Sequence, residues 1–353
     1  MDTKEELLGK LKPMELPSLP KNPLVSVLIA NYNYEKYIGE AIESVLSQTY
    51  QNFEIVICDD GSMDNSLEVI RKYAERDNRI KYVAKENGGQ SSALNNAFNL
   101  SRGSIVSILD ADDVYLPTKL EKVVNAFVYN RGAGFVGHPL RVVDTHSRVL
   151  KDVHGRRLAK GWLAPTILAG GAAILPAASG IVLRREVAEI CFPLPPEFRT
   201  LADCALRERA ALVTICDTIP KTLALYRQHG LNVTGASGVT NLDRIEKAMH
   251  QVRIILGDRA AFIKKVYGID VDSTMQELWE KHEIAGFLSA RALLSGDSPP
   301  RNALDSLRST RQTRAWRLLF TLPRPVAIQL FKLWWGEWPG KRWFRKIVPV
   351  NEW

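Results

Sequence analysis

A chain of 353 residues with 46% hydrophobic and 24% charged residues is long enough for one large domain with an appendage, and this composition excludes a disordered or fibrous protein. The net charge of +8 sits in one place: from Arg301 to Trp353 eleven Lys and Arg face three acids, which accounts for the whole excess. A neutral remainder excludes a protein that spreads basic residues over its folded domain to hold nucleic acid, so no nucleic-acid partner is expected.

The lead-in over residues 1–22 carries acids where an export signal needs basic residues, and it has no apolar h-region. Val25 to Ala30 (VSVLIA) is almost wholly apolar, as befits a strand covered on both faces. Ile38, Ile42, Val45 and Leu46 then form a helical stripe, and Phe53 to Cys58 (FEIVIC) reads as a second strand. The alternation continues with a helix over Ser66 to Ala74, a strand at Ile80 to Val83, a helix over Ser91 to Leu100 and a strand at Ile105 to Leu109. Strands and helices alternating at this length predict right-handed crossovers and a doubly wound α/β domain, its mostly parallel sheet flanked by helices.

Pro117 suits the first position of a further helix carrying Leu120, Val123, Val124 and Phe127. Beyond Gly134 the pattern loosens, with strand-like runs at Gly180 to Leu183 and Thr222 to Tyr226 that are expected to complete the same sheet. From about Asn241 the chain turns helical, and after Ser298-Pro299-Pro300 it becomes basic and rich in tryptophan. The division expected is a lead-in at 1–22, a catalytic domain at 23–240 and a helical extension at 241–353. No apolar run reaches the roughly 18 residues that span a bilayer. Cys58, Cys191, Cys204 and Cys216 show neither metal spacing nor a disulfide framework, so a reducing, cytoplasmic setting is expected.

Ligands of open α/β sheets bind beyond the carboxyl ends of the strands, and those positions are polar here. Asn31-Tyr32-Asn33 follows the first strand, Asp59-Asp60-Gly61-Ser62 the second, Asn87-Gly88-Gly89-Gln90 the third and Asp110-Ala111-Asp112-Asp113 the fourth. Asp110 and Asp112, two apart in an extended loop, can aim both carboxylates at one hard cation, Mn2+ or Mg2+, with phosphate oxygens completing the shell. Equally, Asp112 or Asp113 can cap the helix near Pro117. Asp59 to Ser62 reads either as a turn with a helix cap or as a carboxylate facing a base or ribose. Asn87-Gly88-Gly89 lacks the spacing of a P-loop or a dinucleotide fingerprint.

The order and spacing of these four motifs resemble the family-2 inverting glycosyltransferases of the GT-A fold. Ser44 to Tyr50 (SVLSQTY) matches that family's helix ending, and Tyr226-Arg227-Gln228-His229 its Tyr-Arg-x-His phrase; the likeness runs from Pro23 to Asn232. It implies a nucleotide-sugar donor, most simply a UDP-sugar, contacted by Ala30, Tyr32, Asp59, Asp60, Asn87, Gly88, Gln90, Asp110, Ala111 and the loop residue Ser179. It further implies a metal on Asp112 and His229. His229 also reads as a structural hydrogen-bonding residue. Where the family has an acid followed by Asp, this chain has Ala202-Asp203, so Asp203 is the implied general base although the first acid is missing. Asp203 reads alternatively as a partner of a helix dipole. The family's processive members carry a Gln-x-x-Arg-Trp phrase and membrane helices, neither of which occurs here, which implies transfer of a single sugar to a saccharide or lipid-linked acceptor in cell-surface polysaccharide synthesis.

Trp334, Trp335, Trp338, Trp343 and Trp353 crowd the last twenty residues among Lys and Arg. Such a mixture suits the headgroup region of an anionic bilayer, which places the protein peripherally at the inner face of the cell membrane. A helical bundle that packs these rings against protein is the other reading. Two further functions remain: a non-catalytic scaffold tethered by the tail, and a sugar-nucleotide pyrophosphorylase. The pyrophosphorylase needs a Gly-rich basic loop where Asn31-Tyr32-Asn33 stands.

Overall fold

The computed structural model describes residues 9–151, 158–171, 173–229, 241–298 and 310–335. They fall into two compact units, one from Leu8–Ile167 with Ala173–Val233, the other from Leu168–Ala172 with Thr234–Trp353.

The first unit runs β1 (Val25–Asn31), α1 (Ile38–Leu46), β2 (Phe53–Asp59), α2 (Ser66–Arg76), β3 (Ile80–Ala84), α3 (Gln90–Leu100) and β4 (Ile105–Asp110). It continues with β5 (Val114–Tyr115), α4 (Lys119–Tyr129), β6 (Ala133–Gly137), β7 (Leu140–Val143), β8 (Val149–Lys151) and α5 (Ala164–Leu168). A single 3-10 turn at Ala178–Gly180 leads into β9 (Ile181–Arg184), α6 (Arg185–Cys191), α7 (Ala202–Val213), β10 (Ile215–Thr218) and β11 (Ala224–Arg227).

Seven strands form the main sheet in the order β10-β6-β9-β4-β1-β2-β3. Burial follows from position. In β2 every residue is buried, whereas in β3 at the sheet edge burial falls away after Ile80 and Lys81 and Tyr82 reach solvent. Val25, Val27 and Ile29 of β1 join a core with Ile38, Ile42 and Val45 of α1 and Leu120, Val123 and Phe127 of α4. Each such side chain contributes about 1.5–3 kcal/mol on burial. On the other face α3 lies against β1, β2 and β3. Because side chains alternate along a strand, an apolar run without alternation is what two covered faces require.

Register places the site. Asn31 pairs with Asp59 and Ala30 with Asp110, so three polar strand ends lie side by side. β9 runs antiparallel to β4, with Ser107 opposite Val182, which brings the turn before β9 to the carboxyl end of β4. A second sheet, β5-β11-β7-β8, corrects the expectation that the later strands complete the same sheet. β6, β9 and β10 do extend it, but β11 pairs antiparallel with β5, Tyr115 opposite Ala224, and carries residues 226–229 back to the acidic loop. Pro117 is not helical: it lies in a turn whose carbonyl accepts from the N–H of Thr49, and α4 starts two residues later.

The helical unit contains α8 (Leu242–Tyr267), α9 (Ser273–Ser295), α10 (Thr310–Thr321) and α11 (Arg324–Trp335). Asn241 and Asp272 cap α8 and α9 by accepting from the N–H of Arg244 and Met275. Ile245, Ile284, Phe287, Trp316, Leu319 and Phe331 form its core. Trp279 is fully buried, donates from its indole N–H to the carbonyl of Leu168 at 2.8 Å and lies beneath the Arg259 guanidinium. Among the described residues no helix is long and apolar enough to cross a membrane. Trp338, Trp343, Trp353 and the basic residues Lys341 to Lys346 lie outside the described residues.

Candidate active site

The first two strand ends are laced together. The Asp59 carboxylate accepts from Asn31 Nδ2 at 2.8 Å, from Ser62 Oγ at 2.7 Å and from the Ser62 N–H at 3.0 Å. Asp60 accepts from the N–H groups of Gly88 at 3.0 Å and Gly89 at 2.7 Å, and from Lys85 Nζ. Both carboxylates are buried and engaged by the protein itself. Gly61, at φ +78°, allows this: a Cβ there would meet the Asn87 nitrogen at 2.9 Å. Tyr32 is exposed, Ala30 half-buried, and Asn31 Oδ1 is buried without a hydrogen-bond partner among the described residues. The residues matched to the donor side therefore come together, with Asn87 exposed and Gln90 half-buried at the start of α3.

The acidic loop is the second component. The Asp110 N–H donates to Ser179 Oγ at 3.0 Å, and that hydroxyl donates to Asp113 Oδ2 at 2.6 Å. Lys119 Nζ, fully buried, donates to the Ser179 carbonyl at 2.7 Å. Asp113 Oδ1 accepts from the Arg227 N–H at 2.9 Å. His229 Nε2 lies 2.9 Å from Asp112 Oδ2. Tyr37 stacks on the imidazole with centroids 4.9 Å apart, and Tyr34 meets it edge-on at 5.9 Å. Neither Asp112 nor Asp113 caps α4, since their oxygens face β11, Ser179 and His229; the capping alternative fails on this point.

Burial raises the three acids above the ordinary carboxylate range. Asp110 is raised well above the ordinary carboxylate range by desolvation and then by the charges of Asp113, Asp112 and Asp203. Asp113 is pushed up to about 8 by desolvation and the Asp112 charge. Asp112 is raised by desolvation, against the pull of His229. Crowded hard oxygen donors beside an imidazole are the chemistry of a divalent-cation site. Among the described residues no three His, Cys, Asp or Glu side chains are grouped to hold a metal ion; Asp112 and His229 are the pair that could contribute to one.

Asp203 stands in the first turn of α7, 3.5 Å from Arg207 Nη1, and its charge acts on Asp110. Ala111, within the acidic loop, and Ser179 are both buried. Sequence reasoning missed Arg227, whose guanidinium is 2% exposed and donates to the Asp112 carbonyl at 3.0 Å, to Ser147 Oγ at 3.2 Å and to Glu40 Oε2 at 2.6 Å. It also missed Glu40, Lys119, Tyr34 and Tyr37. The Tyr-Arg-x-His phrase contained Arg227, but nothing in the sequence names partners eighty or more residues away. Gly230, Leu231 and Asn232 lie outside the described residues.

The profile of glycosyl transferase family 2 matches residues 26–172. An uncharacterized glycosyltransferase of Nostoc sp. is 39% identical over 212 residues, 59% of this chain and 66% of that protein. A chondroitin synthase of Escherichia coli is 37% identical over 143 residues, 40% of this chain and 21% of that protein. The match thus spans just under two thirds of the first relative and far less of the second. Among solved structures, S. aureus TarS 1-349 in complex with UDP-GlcNAc has a TM-score of 0.54 at 16% identity, covering 93% of each chain. The mannosyltransferase PcManGT of Pyrobaculum calidifontis, with GDP-Man and Mn2+, has a TM-score of 0.51 at 18% identity, covering 94% of this chain and 92% of its own. Residues 26–172 thus carry a glycosyl transferase family 2 domain, built on a GT-A fold.

Proposed function

We propose that this enzyme transfers a single sugar from a nucleotide-sugar donor, a UDP-sugar in the first instance, to a hydroxyl of a saccharide or lipid-linked acceptor with inversion at the anomeric carbon. The observation that carries this reading is the meeting of Asp112 with His229 beside Asp110, whose charge environment includes Asp203. Asp112 and His229 would hold Mn2+ or Mg2+. When bound, the cation neutralises charge that develops on the departing diphosphate. Asn31, Tyr32 and the Asn87–Gly89 loop bind and orient the nucleotide. Asp203 accepts the proton of the attacking hydroxyl, which is a poor nucleophile until deprotonated, and a single in-line displacement then inverts the sugar carbon. The nucleotide sugars bound to TarS and PcManGT, and the Mn2+ of the latter, support this donor class and metal. Likeness to chondroitin synthases supports a place in polysaccharide synthesis.

The experiment is a panel of UDP- and GDP-sugars assayed for hydrolysis with Mn2+ and with EDTA. Release of nucleoside diphosphate from at least one donor, dependent on metal and lost in Asp203→Asn, supports the proposal; no turnover of any donor would refute it.

A peripheral position at the inner membrane face belongs to the same proposal. Arg314, Arg317, Arg324 and Lys332 are exposed, as are Leu318 and Val326. Basic and apolar groups on one short helical pair suit an anionic bilayer surface. Removing α10 and α11 would strip Trp316 and Phe331 from the helical core, so charge substitution is the cleaner test. Replacing the four basic residues with Gln is expected to weaken binding to vesicles of anionic lipid, and unchanged binding would refute the membrane reading.

A further inference from the structure

The segment before α7 and the start of α3 hold one another. The N–H groups of Gln90 and Ser91 donate to the carbonyls of Arg199 at 2.8 Å and Phe198 at 3.1 Å. In return Gln90 Oε1 accepts from the Ala202 N–H at 3.0 Å, and Arg199 Nη2 donates to Asn87 Oδ1 at 2.6 Å. Asn95, one turn further along α3, exchanges two bonds with the backbone of Leu194, at 2.9 and 2.7 Å. The opening N–H groups of an α-helix have no partner within the helix, so each helix here finds partners at the other's start.

Contact is close enough to dictate residue type. Gly89, buried at φ +88°, would place a Cβ 2.6 Å from the Arg199 Cα. Leu201, directly ahead of α7, is left-handed at φ +62°, a conformation bulky residues seldom adopt unless their surroundings fix it. Asp203 is the second residue of α7. Gln90 therefore bonds the first N–H of the helix that bears Asp203, while the N–H groups just before Gln90 bond Asp60.

We propose that Gln90 is a positioning residue for Asp203: its amide oxygen fixes the start of α7, and the loop from Asn87 to Gly89 ties that setting to the nucleotide side of the site. The inference rests on Asp203 serving as the base. It replaces direct donor contact, the role that family likeness implies for Gln90, with an action through the backbone of Ala202.

The test compares Gln90→Leu, which removes the acceptor, with Gln90→Glu, which retains an acceptor oxygen, and runs Asp203→Asn in parallel. Turnover is the hydrolysis of the donor that the panel identifies, with water as acceptor, and nucleotide affinity is measured by calorimetry with UDP or GDP and Mn2+. Gln90→Leu is expected to lower kcat about 10- to 100-fold, because a small misplacement of a reacting group has effects of that order. KM and nucleotide affinity should stay within about twofold, which also shows that the variant is folded, and Gln90→Glu should recover most of the lost kcat. A raised KM or weakened nucleotide binding at unchanged kcat would place Gln90 on the donor and overturn the inference. An unaltered kcat in Gln90→Leu alongside an inactive Asp203→Asn would overturn the inference alone. Full turnover by Asp203→Asn would overturn the base assignment and this inference with it.

Discussion

His229 Nε2 lies 2.9 Å from Asp112 Oδ2 although 117 residues separate them in the chain. The antiparallel pairing of β11 with β5 brings them together, since Leu225 opposite Val114 sets the residues after one strand beside those before the other. If both hold the cation, His229→Ala should raise the Mn2+ concentration for half-maximal donor hydrolysis about 10- to 100-fold. An unchanged Mn2+ requirement would remove His229 from the site.

Arg227 ties the acidic loop to α1 and to the turn at Ser147 through a guanidinium that is 2% exposed. Arg227→Met leaves the Asp112 carbonyl and the half-exposed Glu40 without this partner and should lower stability by about 1–3 kcal/mol. Arg227→Lys should recover little of this, because a point ammonium cannot reproduce the guanidinium fork. Urea denaturation monitored by circular dichroism measures both, and a loss below 1 kcal/mol for Met would contradict the role assigned.

His138 is fully buried, its Nδ1 bonded to the Pro139 carbonyl at 3.0 Å and its Nε2 without a partner among the described residues. Burial, and then the Lys119 charge, hold it well below the usual imidazole range. The folded state stays neutral where the unfolded chain takes up a proton, so the contribution is present above the unfolded value of about 6.5 and is lost as pH falls below it. Between pH 6 and 5 the wild type should lose about 1 kcal/mol more stability than His138→Gln, measured by denaturation at each pH. Parallel pH profiles would show that His138 titrates normally.

Two glycines should answer alanine in opposite ways. Gly61→Ala meets both a left-handed backbone and the Asn87 nitrogen, and should lose about 1–3 kcal/mol together with nucleotide affinity. Gly257, inside α8 with nothing within 4 Å of a Cβ, should gain about 0.5–1 kcal/mol as Ala. Melting temperatures decide both, and equal signs would contradict the local geometry.

The central sheet was legible because β1 and β2 are apolar without alternation, a pattern that only two covered faces produce. The second sheet was not, because Val114–Tyr115 and the strands at 140–143 and 149–151 are too short to establish a period. The acidic loop was visible as a motif, yet Asp113 read equally as a helix cap. Its actual partners, the Ser179 hydroxyl and the Arg227 N–H, are fixed by strand register and long-range pairing. Gln90 was found by family likeness, but its bond to Ala202 spans 112 residues and follows only from the fold.

The most direct test of the account is calorimetric titration of the wild type and Asp112→Ala with UDP and GDP, each in Mn2+ and in EDTA. The account requires that the wild type bind at least one nucleotide in Mn2+, that EDTA weaken this binding, and that Asp112→Ala bind alike in both conditions. Nucleotide affinity unchanged by EDTA in the wild type would contradict a metal held by Asp112.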